Sequence, residues 1–91
     1  MPFEVVLPQG LRKQGWKVKI RERERLEPPH VTILRGIRTW RFGLRDARFL
    51  DRIPPAREVP VALVRHVEAH IEELRAAWDR MYPENRVGDD R

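Results

Sequence analysis

Val64, Val67, Ile71, Leu74, Trp78 and Met81 step by three, four, three, four and three residues, which is one continuous apolar stripe along a helix. Pro60 suits the first turn, where a missing amide hydrogen costs nothing, and Pro83 stops the helix after Tyr82. A helix over about 60–82 is long for a chain of 91 residues. It cannot bury its own stripe, so the rest of the chain must supply an apolar surface to cover it.

The preceding residues provide one as strands. Trp16, Val18 and Ile20 alternate with Lys17, Lys19 and Arg21, a period-two pattern with one apolar and one cationic face. His30 to Leu34 is rich in β-branched residues, Arg35-Gly36 is a tight turn, and Ile37 to Phe42 gives the returning strand of a hairpin. Phe3 to Leu7 either pairs as a strand or lies against the core, and Ala47 to Leu50 suits a fourth short strand. Pro28-Pro29 and Pro54-Pro55 close off their segments, because proline donates no amide hydrogen. The expected fold is α+β: a three- to four-stranded, mainly antiparallel sheet with a long C-terminal helix packed on one face. The 91 residues make one small domain, ordered over about 3–82, with Glu22-Arg23-Glu24-Arg25 solvated and 85–91 a frayed tail.

Charge narrows the functional classes. Charged residues reach 36%, against a usual ~25%, and the formal net charge is +5. Twelve basic residues face four acidic ones between Leu11 and Arg48, whereas the remainder is mildly acidic. A basic half joined to an acidic half suits a protein that meets an anion with one face. Sixteen of the 19 basic residues are Arg, which GC-rich codon usage also produces. The candidate nucleic-acid-binding residues are Lys17, Lys19 and Arg21, with Arg35, Arg38 and Arg41 from the hairpin; Arg41 joins the same face if Trp40 and Phe42 point inward. The partners this charge would suit are RNA or DNA, or an acidic protein. No apolar run approaches the ~18 residues of a membrane span, and Met1-Pro2-Phe3-Glu4 lacks the basic start of a signal peptide, so a cytoplasmic location is expected.

The absence of cysteine excludes disulfides, thiolate catalysis, iron–sulfur clusters and Cys-containing zinc sites. The chain also has no serine and no Gly-rich phosphate loop. No cofactor is expected. His30, constrained by Pro28-Pro29 at the mouth of the hairpin, is expected to be a turn histidine that packs over Pro29 or hydrogen-bonds backbone; the alternative is the general acid or base of a small ribonuclease, beside Arg25, Arg35 or Arg38. His66 and His70 lie four apart with Glu73 nearly a turn further, a spacing used by zinc sites. Val67 stands where a metalloprotease motif needs Glu, and two surface histidines are the expected outcome.

Gly15-Trp16 opening a strand, Pro28-Pro29-His30-Val31-Thr32-Ile33, and a closing helix with Ile71-Glu72-Glu73-Leu74 and Trp78 resemble a family of small bacterial proteins of unknown function. That family carries a Pro-Pro-His-x-His strand motif and a C-terminal Glu-Leu…Trp helix. Thr32 stands where its second His would fall. The resemblance covers roughly 15–82 and implies a sheet-plus-helix domain, with an association to toxin–antitoxin or regulatory loci. The order of Leu11 to Trp16 and His30 is also similar to HicA-type mRNA-interferase toxins, although Pro28-Pro29 replaces the Gly-Ser that usually precedes the toxin histidine. Two functional classes follow: a non-enzymatic nucleic-acid-binding or toxin–antitoxin-associated interaction module, and a small ribonuclease.

Overall fold

Alternation along β2 (Trp16–Ile20) sends Trp16, Val18 and Ile20 to one side of the sheet and Lys17 and Lys19 to the other. The computed structural model describes residues 3–24 and 26–89. β1 (Phe3–Glu4), β2, β3 (His30–Arg35), β4 (Arg38–Gly43) and β5 (Arg48–Phe49) form one antiparallel sheet in which neighbours in sequence are neighbours in space. A short helix, α1 (Gln9–Lys13), connects β1 to β2. The ladder sets Val18 opposite Ile33 and Ile33 opposite Trp40, so Trp16, Val18, Val31, Ile33, Trp40 and Phe42 share one buried face. α2 (Val61–Ala69) and α3 (Ile71–Met81) complete that core with Leu63, Val67, Leu74, Ala77 and Trp78. The α+β class and the antiparallel sheet are therefore as the sequence patterning implies.

Four details differ from the sequence expectations. The sheet has five strands rather than three or four, because two-residue strands at Phe3–Glu4 and Arg48–Phe49 pair along its edges. The hairpin turn falls on Gly36-Ile37: Gly36 has φ +62 at the first central position, where a type II′ turn demands glycine, and Ile37 is left fully exposed instead of starting β4.

The long helix is two helices broken at His70. The His70 ring donates from Nδ1 to the His66 carbonyl at 2.8 Å, taking the acceptor that the His70 amide would use in a continuous helix. That amide turns to the Val67 carbonyl instead. A side chain inserted into the helical ladder is a recognised cause of such breaks. The stripe shifts with it: Leu63 and Ala77 are buried, whereas Val64, Ile71 and Met81 are half-buried.

The expected frayed tail is tied down through residue 87. Asn85 accepts from the Trp78 indole and donates to the Glu27 carbonyl, and the Val87 amide donates to Asp79. Asp90 and Arg91, the last of that tail, lie outside the described residues. Among the described residues no helix is long and apolar enough to cross a membrane.

Burial ranks two neighbours of the stripe. Leu74 has no exposed surface and Ile71 is half-buried, so Leu74→Ala is expected to cost about 2–5 kcal/mol and Ile71→Ala distinctly less. Urea midpoints of the two variants check this; equal losses would place the core seam elsewhere.

Candidate functional site

The open face of the sheet is where β2 presents its cations. Lys19, Thr32 and Arg41 stand in one row across β2, β3 and β4, and Lys17, Leu34 and Thr39 in the next. Lys17 is exposed and Lys19 half-buried; Thr32, flanked by Lys19 and Arg41, is buried. Neither lysine has a carboxylate within ion-pair distance among the described residues, although Glu4 stands opposite Lys19 in the ladder.

The six candidate cations do not form one face. Arg41 lies on the open side, as inward Trp40 and Phe42 require, but it is neutralised: Nε and Nη2 donate to the two Asp51 oxygens at 2.8 and 2.7 Å, and Nη1 to Glu27 at 3.1 Å. The hydrogen bonds that Arg41 donates to Asp51 raise the Arg41 pKa further above the ordinary guanidinium value, and Arg41 in turn holds the Asp51 carboxyl below the usual carboxylate range. Arg35 and Arg38 project to the opposite side at the hairpin end, because Arg35 stands across from the core residue Trp16. There the Arg35 guanidinium is 5.3 Å from the centre of the Trp16 ring and donates to the Gln14 carbonyl, whereas Arg38 lies over Trp40 and pairs with Glu58. Arg21 falls one residue beyond β2, in a segment held from both its amide and its carbonyl.

His30 has no exposed surface and packs its ring 5.5 Å from that of Trp78. Nδ1 lies 2.8 Å from the Pro28 carbonyl, which can only accept, so this nitrogen carries a proton. Nε2 points at carboxylates, 3.1 Å from Glu24 and 3.8 Å from Glu27. Burial alone would lower the His30 pKa; the bonds to Glu24 and Pro28 and the two carboxylate charges outweigh it and raise the value above 6.5. Of the expected arginine neighbours, Arg25 lies outside the described residues, and Arg35 and Arg38 are at the far end of the hairpin. With no accessible surface, the imidazole touches no substrate in this arrangement.

The carboxylates around this histidine depart from the sequence expectation. Glu24 is buried rather than solvated: Arg23 adopts φ +67, a left-handed turn, and the chain closes so that the Glu24 carboxylate receives the Arg21 amide. The Glu24 amide donates to the Tyr82 hydroxyl at 3.0 Å, and that hydroxyl donates to the Arg21 carbonyl. Burial pushes the Tyr82 pKa above 10. The spacing Glu24-x-x-Glu27-x-x-His30 just ahead of the hairpin was the available signal.

The other histidine pair behaves differently. His66 donates from Nε2 to the Val6 carbonyl at 3.0 Å, His70 is committed to its own helix, and their rings lie 4.4 Å apart. His66, His70 and Glu73 bring no three ligand atoms together; among the described residues the one convergent set of three potential metal ligands is Glu24, Glu27 and His30. No protein-family model, no characterised protein and no solved structure matches the chain.

The Tyr82 hydroxyl is the clasp of this segment. Tyr82→Phe leaves a buried amide and a carbonyl without their partner, and a loss of about 1–3 kcal/mol is expected. Equilibrium urea unfolding measures it, and an unchanged midpoint would mean that the 21–27 segment is held by other interactions.

Proposed function

We propose that the chain is a non-enzymatic nucleic-acid-binding module that lays the open face of its sheet along a phosphate backbone. The observation that carries this is the pair Lys17 and Lys19, alternate residues of one strand pointing to the same side with no carboxylate partner among the described residues. Their spacing of ~6.6–7 Å along the strand matches successive phosphates of an extended chain. The excess of basic over acidic residues between Leu11 and Arg48 is in keeping with an anionic partner. Arg41, in the same cross-strand row as Lys19, is a third cation held in reserve by Asp51 and Glu27. Nothing on this face offers a pattern for reading bases, so the contact is with the backbone and weak in sequence preference. The burial of His30 favours binding over phosphodiester cleavage.

Fluorescence anisotropy with labelled single-stranded RNA, duplex RNA and duplex DNA over a range of salt tests the proposal. Replacing Lys17 and Lys19 together by Ala is expected to flatten the salt dependence by about two, roughly one for each phosphate no longer neutralised. Asp51→Asn moves the other way: it removes one of two carboxylates on Arg41 and strengthens binding. If wild type binds none of the three even at low salt, an acidic protein partner becomes the better account of the basic half.

A further inference from the structure

We propose that Glu24, Glu27 and His30 form a binding site for one divalent transition cation of the zinc type. Three ligand atoms from these residues lie within 4.8 Å of one another. A tetrahedral ion with bonds of ~2.0–2.1 Å sets its ligand atoms ~3.3 Å apart. Nε2 of His30 is already 3.1 Å from Glu24 Oε2 and 3.8 Å from Glu27 Oε1. Only Glu27 has to draw inward, and it is the most exposed of the three, its side chain 41% accessible against 10% for Glu24 and none for His30.

The tautomer gives an independent reason. Because Nδ1 donates to the Pro28 carbonyl, a neutral His30 carries its lone pair on Nε2, aimed at two carboxylates with which it cannot bond. A backbone carbonyl on the far nitrogen is also the outer partner that orients metal-binding histidines. Nε2 therefore requires a positive charge between itself and the carboxylates.

Charge balance favours an ion over a proton. Among the described residues, Glu24, Glu27 and Asp51 face one guanidinium, that of Arg41, which pairs with both Glu27 and Asp51. One proton leaves this partly buried group net negative, whereas a divalent cation neutralises it. Imidazole together with carboxylate oxygens suits zinc, manganese or ferrous iron better than calcium or magnesium. Glu27 also borders an open surface depression lined by Arg23, Leu26, Met81, Tyr82 and Glu84, which gives the ion a path in and leaves a coordination position for water. So placed, the ion pins the 21–27 segment to the start of β3, in a domain small enough for that to matter.

The experiment uses the full chain, stripped with a chelator, and follows zinc by equilibrium dialysis and thermal melting. One zinc per chain and a melting temperature that rises with zinc concentration are expected, with no rise from magnesium at the same concentration. Glu27→Gln, a half-exposed and isosteric change, is expected to weaken zinc binding at least tenfold (about 1.4 kcal/mol) and to remove the melting shift. The double variant His66→Ala, His70→Ala is expected to keep both. Cobalt in place of zinc should give the visible bands of a tetrahedral site in wild type and lose them in Glu27→Gln. Absence of stoichiometric zinc, zinc retained undiminished by Glu27→Gln, or zinc binding abolished together with His66 and His70 would each overturn the proposal.

Discussion

Trp78 has no exposed surface, and its indole joins three parts of the chain. Its ring lies 4.3 Å from that of Tyr82 and 5.5 Å from that of His30, and Nε1 donates to the Asn85 carbonyl. α3 is thereby fixed to the first residue of β3 on one side and to the C-terminal segment on the other. Once Trp78 is seated, the Tyr82 hydroxyl sits where the 21–24 turn can use it as both acceptor and donor. The carboxylate cluster around His30 is thus assembled from the packing of a tryptophan that belongs to none of its ligands.

The two sides of the sheet carry charge in different ways. On the helix-covered side, the hairpin arginines lie over tryptophan rings, Arg35 on Trp16 and Arg38 on Trp40, so their stems and guanidinium planes extend the core outward. On the open side, Arg41 is consumed by Asp51 and Glu27, while Lys17 and Lys19 have no ion-pair partner among the described residues. Net positive charge is therefore a poor guide to where unpaired cations lie; the distribution of carboxylates decides which cations remain unpaired.

Features set by local periodicity were legible in the amino-acid order. The alternation from Trp16 to Arg21 and the β-branched run from Val31 to Ile33 dictate which side chains face inward, and inward Trp40 and Phe42 follow from pairing with them. The helix break was not legible, because the apolar stripe runs through His70 without interruption and the cause is a ring reaching back to a carbonyl. The burial of Glu24 escapes local patterning for a different reason. It depends on Tyr82, 58 residues away, and a run of alternating charges gives no sign that one of them has a distant partner. The neutralisation of Arg41 by Asp51 likewise needs β5 to return the chain across the sheet.

The brevity of β1 and β5 bears on how copies of this chain behave together. A five-stranded meander has two open edges, and an open edge is a template on which a foreign strand can add. Here each outermost strand is two residues long, too short to offer a ladder worth extending. The stretches of β2 and β4 that they leave uncovered include Arg38, which is paired with Glu58, and Lys17, which has no ion-pair partner among the described residues and whose charge repels the same strand of a second copy. Short outer strands and an unpaired lysine thus guard the rims of the sheet against the addition of a second copy.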